Sequence, residues 1–265
     1  MTWRLLDLFS GAGGAAYGYM QAGFHVTGVD LHPQPRYKGD VFIQADALAY
    51  LAAHGQEYDV VHASPPCQAY SALKHLAQAG HPELIIPVRR ALQNLRTPYV
   101  IENVVGAPLH FPLMLCGSMF DLETPCGAQL RRHRLFESNY WLLAPGECTH
   151  GERPFAVNGH EFRNEATRWA ERRTISTHGK KAADPRQEGE LQRARTITVT
   201  GSTPQQNVVR NRIRETFSVH DAQVAMGIDW MGMKELSQAI PPAYTRWIGE
   251  HLLARLAPRT EALPP

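Results

Sequence analysis

The sequence predicts an α/β protein built on a doubly wound, mostly parallel sheet. Two observations predict it. Strand-like and helix-like patterns alternate over the first hundred residues, and a glycine loop joins the first strand to the first helix. The length, 265 residues, suits one such domain with a modest insertion.

The elements follow in order. "WRLLDLF" reads as a buried strand over residues 3 to 9, broken by "SGAGG". "AAYGYMQAG" reads as a helix ending at Gly23, and "FHVTGVD" as a second strand ending in Asp30. The loop "LHPQPRYKGD" carries two prolines and cannot be helical throughout. "VFI" is a short third strand, followed by Asp46 and a helix through Tyr50. "YDVVHA" is the fourth strand and delivers "SPPCQAYS". "LIIPVRRALQNL" is helical in pattern, with Pro87 as a kink or a late start, and "YVIEN" is the fifth strand.

The alternation fades after residue 140. Residues 146 to 213 are rich in Gly, Pro, Arg and polar groups, with one β-like run, "RTITVTG". They read as a small inserted subdomain, so residues 1 to 145 form the first part of the main domain and 214 to 258 close it. In the closing part, Ser218 is an N-cap with an acid three residues on, and Gly227 stops that helix. "PPAYTRWIGEHLLARL" is the last helix, its prolines tolerated in the first turn. The tail from 259 is expected to be disordered.

Composition narrows the classes of function. No apolar run reaches membrane-spanning length, and the start of the chain lacks the pattern of a signal peptide. A cytoplasmic protein is expected, nucleoid-associated or, if phage-borne, in the host cytoplasm. Four cysteines in that compartment are expected to stay reduced. The net charge of +2 hides an asymmetry: residues 150 to 215 hold 13 Lys and Arg against 8 Asp and Glu. A basic segment on a slightly acidic body suggests a polyanionic partner, most simply nucleic acid, although a solvated Arg-rich loop has the same composition.

"DLFSGAGGAA" sets backbone N–H groups at a helix start, where they bind an anion. Gly11, Gly13 and Ala16 satisfy a relaxed dinucleotide fingerprint, with Asp30 near the place of a ribose-binding acid. A nicotinamide cofactor and S-adenosylmethionine both fit that loop, and a tight turn without ligand has the same letters. Asp46 follows the third strand at the same sheet edge and is placed to accept from an adenine amino group. Either acid alone is as readily a helix cap or a solvated turn.

Cys67 follows the fourth strand at that edge, on a backbone stiffened by Pro65 and Pro66. A thiolate is a strong nucleophile near neutral pH. A buried bystander is the plain alternative for an isolated cysteine. No second Cys or His stands at ligand spacing nearby.

"DLFSGAGG", "SPPCQAYS", "IENV" and "RRHRLF" occur in that order. In these motifs the chain resembles the DNA cytosine-5 methyltransferase family. The resemblance implies a Rossmann-like fold dependent on S-adenosyl-L-methionine, with the basic insert as a small target-recognition region. It implies methyl transfer to carbon 5 of a flipped cytosine in double-stranded DNA, through a transient bond from Cys67 to carbon 6. Glu102, of "IENV", would assist at N3, and Arg134 would contact the cytosine O2. Arg132 and Arg134 alternate on an expected strand and would face one way. The cofactor set carried over is Asp7, Phe9, Ser10, Gly11, Gly13, Asp30, Asp46 and Ala47. The DNA set is Gln68, Ser71, Arg195, Gln205 and Gln206, with a recognition site of a few base pairs and a monomeric enzyme.

Three departures from the family pattern stand out. Asp30 replaces the more usual Glu, Leu130 stands where a Gln precedes the arginines with Gln129 one place earlier, and "SQAIPP" carries Gln238 where Asn is common. Cys116, Cys126, Cys148 and His150 are spaced too irregularly to announce a zinc site, and no metal is expected. Two alternatives stay open: a cytosine-5 methyltransferase acting on RNA such as tRNA, and a catalytically dead DNA-binding decoy or regulator. Restriction–modification, defence evasion and epigenetic marking all fit the same residues.

Overall fold

A computed structural model describes residues 2–67, 83–125, 127–149, 196–197 and 218–256. Seven strands form one sheet: β1 (Arg4–Leu8), β2 (His25–Asp30), β3 (Val41–Gln44), β4 (Val60–Ala63), β5 (Tyr99–Asn103), β6 (Leu113–Leu115) and β8 (Arg134–Ser138). Their order is β3-β2-β1-β4-β5-β8-β6. The first five are mutually parallel, and β8 runs antiparallel between β5 and β6. A second ribbon pairs β7 (Gln129–Leu130) with β9 (Thr196–Ile197). The rest of the "RTITVTG" run lies outside the described residues, as does most of the insert from 146 to 213 and the tail from 259.

The strands are continuous apolar runs because both faces of the sheet are covered. All of β4 and β5 is buried. Alternation then divides each strand between two cores. Leu5, Val26, Val60 and Val100 face one helical layer, with Tyr19, Ile248 and Leu252. Leu6, Leu8, Val29, Val61 and Ile101 face the other, with Leu51, Val88 and Leu92. The first layer is α1 (Gly14–Ala22) and the final helix α6 (Pro242–Leu256); the second is α2 (Ala47–His54) and α3 (Ile85–Leu95).

Between α3 and the sheet sits a buried ion pair. Arg89 Nε and one terminal nitrogen donate to the two carboxylate oxygens of Glu137, each at 2.7 Å. Arg89 also donates to the Pro108 carbonyl, and the His110 N–H donates to Glu137, so both charges are satisfied.

The predicted elements of the first hundred residues and of the closing helices lie where the pattern placed them. Gly23 ends α1 in the left-handed conformation. Pro87 stands in the first turn of α3, where its missing N–H costs nothing. The helix after Asp46 runs past Tyr50 to His54. Ser218 and Asp221 form a reciprocal capping box on α4 (Val219–Met226), and Gly227 caps its end. The short α5 (Met233–Gln238) follows; Leu236 joins Ala222, Ala225 and Met226 in a third core with Ala12 and Leu130.

Helices α1 and α6 touch through glycine. A Cβ on Gly18 would strike the Pro242 carbonyl oxygen and Thr245 Oγ1, and one on Gly14 would lie 2.7 Å from the Ile240 carbonyl oxygen. Gly18→Ala therefore sets two effects against each other. Helix propensity favours Ala by roughly 0.5–1 kcal/mol, while overpacking of a closed core costs about 1–3 kcal/mol. The backbone obstacle at Pro242 cannot swing aside, so we expect a net loss of about 1–2 kcal/mol, seen as a lower urea midpoint. An unchanged or raised midpoint would show that the two helices can separate at little cost.

Candidate active site

Strand order reverses between β1 and β4, so the crevice of the fold opens at the carboxyl ends of β1, β4 and β5. Parity places Asp7, His62 and Glu102 on the same face as Leu5, Val60 and Val100. Register sets Asp7 beside His62 across β1 and β4.

The loop bearing Cys67 is fastened at two points. The Ser64 N–H donates to the Leu8 carbonyl at 3.1 Å. The buried Asn103 amide donates to the Pro65 carbonyl at 2.9 Å. The two prolines offer no N–H of their own, so Asn103 supplies the tie from outside. Cys67 is half-buried at the end of this loop. Burial pushes its thiol above the ordinary cysteine value; Arg134 pulls it back and Glu102 adds to the rise.

Glu102 is buried on β5, and Arg134 Nε lies 3.0 Å from its Oε1. Burial pushes the Glu102 carboxyl above its ordinary value, Arg134 and Arg132 pull it part of the way back, and the Ser64 hydroxyl bonds it. Behind Ser64 a buried chain continues. Ser64 Oγ and His62 Nε2 are 2.9 Å apart, and His62 Nδ1 and the Tyr19 hydroxyl are 3.0 Å apart. Burial holds His62 down at about 3, so the ring is neutral. The motifs assign no role to His62 or Ser64, yet both fall within "VVHASPPC" at alternate positions of the strand and loop that carry Cys67.

The two arginines do not share a strand face. β8 begins at Arg134, and Arg132 precedes it in a loop. The buried Arg132 guanidinium donates to the carbonyls of Ser237 and Ala239 at 2.6 to 2.9 Å. It clamps the junction of α5 and α6, where free carbonyls at a helix end need donors. Gln129 and Leu130, the shifted pair before the arginines, form β7, and Leu130 is fully buried in the third core.

On the other side of the crevice, Phe9, Gly11 and Gly13 take positive φ of 60°, 50° and 83°. A Cβ on Gly13 would lie 2.6 Å from the Lys38 backbone nitrogen, so this position requires glycine. Asp30 ends β2, with one carboxylate oxygen accepting from the Gly11 N–H at 3.0 Å and the other from the His32 N–H at 2.9 Å. It thus holds the glycine loop as well as standing at the expected ribose position. Asp46 is the N-cap of α2, its Oδ1 accepting from the Ala49 N–H at 2.8 Å, and Ala47 is the buried first residue of that helix. One Asp46 oxygen is thereby committed to the cap.

Asp7 and Ser10 show where this crevice has unmet capacity. Asp7 is buried, and neither of its carboxylate oxygens has a hydrogen-bond partner among the described residues; nor has Ser10 Oγ. Burial drives the Asp7 carboxyl well above its ordinary value, with the charges of Asp30 and Glu102 adding to the rise and the nearby Ala16 N–H, too poorly placed for a full hydrogen bond, offsetting little of it. Three carboxyl groups around one glycine loop suit a ligand with positive charge and hydrogen-bond donors. S-adenosylmethionine, with an ammonium and a sulfonium, has that character. Gln68, Ser71, Arg195, Gln205 and Gln206 lie outside the described residues.

A reversing, mostly parallel sheet with an antiparallel strand beside its fifth fits the fold of the S-adenosylmethionine-dependent methyltransferases. Residues 3–110 match the model of the family described as C-5 cytosine-specific DNA methylase. The chain carries this match over its first part alone. It is 33% identical to the type II methyltransferase M.XorII of Xanthomonas oryzae pv. oryzae over 38% of this chain and 28% of that protein. It is 31% identical to the type II methyltransferase M.AgeI of Thalassovita gelatinovora over 39% of this chain and 28% of the other. The matched stretch therefore spans little more than a quarter of each relative. Among solved structures, the fold resembles the S. pombe Dnmt2 methyltransferase, with a TM-score of 0.58 at 14% identity, covering 97% of this chain and all of the other. It also resembles a putative DNA modification methyltransferase encoded within an E. coli prophage, with a TM-score of 0.55 at 15% identity and the same coverage. At those identities the likeness is one of fold. No described helix is long and apolar enough to cross a membrane.

The raised Asp7 carboxyl gives a pH prediction. The folded state holds this proton to higher pH than the unfolded chain does, so Asp7 lowers stability as pH rises above the ordinary carboxylate range. Below that range both states are protonated and the effect vanishes. Asp7→Asn should exceed the ligand-free wild type by about 1–3 kcal/mol at pH 7 and converge with it in acid, measured by urea unfolding. A variant less stable at neutral pH would show that Asp7 is ionised and paired.

Proposed function

We propose that this chain transfers a methyl group from S-adenosylmethionine to carbon 5 of cytosine in double-stranded DNA, acting as a monomer on a flipped base. The observation that carries the reading is the approach of Glu102 and Arg134, 3.0 Å apart, to the loop that bears Cys67. Carbon 5 of cytosine is too weakly nucleophilic to take a methyl group unaided. Attack by the Cys67 thiolate on carbon 6 makes the ring an enamine, with electron density at carbon 5. Glu102 is suited to hold a proton at N3, since burial favours its acid form, and the Ser64–His62–Tyr19 chain fixes its rotamer. Arg134 is suited to pair with O2 while still facing Glu102. Arg132 acts by fixing the α5–α6 junction, not by touching the base.

The methyl donor supplies an electrophilic carbon on a sulfonium. Asp7, Ser10, Gly11, Gly13 and Asp30 would hold it, with Phe9, Asp46 and Ala47 at the edge of the same site. Positioning of the two reactants then accounts for much of the rate. Loss of the proton from carbon 5 and departure of the Cys67 sulfur complete the cycle. The basic stretch within 146 to 213 would contact phosphates and a short base sequence, with Arg195, Gln205 and Gln206 as its candidate contacts and Gln68 and Ser71 next to the nucleophile.

Labelled S-adenosylmethionine offered with duplex DNA or tRNA, followed by digestion to nucleosides, tests this. We expect label in 5-methyldeoxycytidine from DNA, no transfer by Cys67→Ser, and a rate lower by about 10²–10⁴ for Glu102→Gln. Duplex DNA carrying 5-fluorocytosine should trap a denaturation-resistant complex with the wild type and none with Cys67→Ser. Label only in RNA would move the substrate to RNA, and DNA binding without any transfer would make the chain a binding protein.

A further inference from the structure

Outside the crevice, three chemically matched side chains meet that the sequence keeps far apart. Cys116 precedes the 3₁₀ turn Gly117–Phe120 after β6, His133 lies between the two arginines, and Cys148 stands near the start of the insert. One donor atom from each lies within 4.8 Å of the other two. His133 Nε2 is 3.2 Å from Cys148 Sγ. Cys116 is buried and the others are half-buried. We propose that Cys116, His133 and Cys148 form a site for a thiophilic divalent cation of the zinc type.

Zinc binds sulfur at about 2.3 Å and imidazole nitrogen at about 2.0 Å, so donors on a tetrahedral ion stand about 3.5–3.8 Å apart. The observed spacing reaches that arrangement with side-chain shifts of about an ångström, and the three donors leave one position for solvent or a further ligand. Two thiols with one imidazole select zinc-like ions over magnesium or calcium, which take oxygen. The Ser118 hydroxyl, 3.8 Å from Cys148 Sγ, donates to that sulfur and can do so to a metal-bound thiolate, whereas the Leu130 carbonyl, 4.0 Å from Cys116 Sγ, accepts from the thiol and loses that bond when the metal takes the proton's place. Of the four residues weighed in the sequence, Cys116 and Cys148 meet here, whereas Cys126 and His150 lie outside the described residues. His133 completes the group, and its place between Arg132 and Arg134 gives the ion a mechanical role. Bound metal would fix the loop that aims both guanidinium groups and tie it to the root of the insert.

The test uses the reduced, metal-stripped full chain titrated with cobalt(II). We expect one equivalent to bind with a thiolate-to-cobalt charge-transfer band and the visible bands of a tetrahedral ion, both erased by zinc. Cys148→Ser and His133→Gln should each weaken binding at least tenfold, whereas Cys67→Ser should bind as the wild type does. Zinc should also shield Cys116 and Cys148, but not Cys67, from alkylation in peptide mapping of the wild type. That readout stands even where a variant fails to fold, and none of these depends on methyl transfer. Absence of the bands, binding undiminished in Cys148→Ser, no shielding by zinc, or a Cys116–Cys148 disulfide persisting in the reduced chain would overturn the proposal.

Discussion

The buried carboxyl of Glu102, faced by a guanidinium from the neighbouring antiparallel strand, is the constraint around which the crevice is arranged. A lone carboxylate at that depth would be neutral, and a lone arginine there would carry a large desolvation cost. Together they share the burden, and the net displacement of Glu102 is still upward. The pairing requires β8 to run antiparallel to β5, because only then does its first residue lie near the carboxyl end of the parallel strands. The one reversed strand beside β5 is thus what delivers a cation to the edge where β1 and β4 deliver acid and thiol. Arg132, two residues earlier, would be a second buried cation at the same place. The fold disposes of it by turning it toward the carbonyls of Ser237 and Ala239. That contact links the arginine loop to the last two helices, and Tyr244 on α6 returns the link by donating to the Arg132 carbonyl at 2.7 Å.

The close approach of α1 and α6 serves the same crevice from behind. Thr245 donates to the Ala15 carbonyl, and Gly14 and Gly18 let the helices meet along their backbones. Helix α1 begins at the glycine loop, so its seat on α6 sets where the loop's N–H groups point. Trp230 adds a tie by donating to the Ala12 carbonyl at 2.9 Å. Residues more than two hundred positions apart therefore hold one turn. The closing helices are part of the glycine-loop side of the domain, although nothing local in their sequence announces it.

Much of this was legible in the amino-acid pattern. Fully buried parallel strands are short apolar runs, and β1, β2, β4 and β5 read out that way. Capping chemistry marked Ser218 and Gly227 because a cap is a local hydrogen-bonding event. What escaped the reading was non-local. β7 has two residues, too few for any periodicity, and its partner β9 lies more than sixty positions on. The alternation of Arg132 and Arg134 suggested one shared face, but a strand that starts at Arg134 imposes no alternation on the residue before it. Asp46 had two plausible roles, and the cap claimed one of its oxygens. His62 and Ser64 look like ordinary strand and turn residues until Tyr19 and Glu102 are placed at either end of them.

The acids of the crevice form the last link between stability and chemistry. The charges of Asp30 and Glu102 make Asp7 harder to ionise, and Asp30 has backbone donors on both of its oxygens. Arg134 relieves Glu102, whereas Asp7 is relieved only weakly, by the Ala16 N–H, and stays well above its ordinary value. A core that kept such a group for packing alone would do better with an apolar residue of the same size. Its persistence at the carboxyl end of β1, beside a loop built of positive-φ residues, makes sense as capacity held for a ligand that brings donors and charge. The strain of Phe9 at φ 60° and the orphaned Ser10 hydroxyl belong to the same arrangement. Polar groups left unmatched at one edge would then be matched on binding, so the affinity proposed for a cationic ligand and the stability loss expected of the ligand-free chain at neutral pH have a common source.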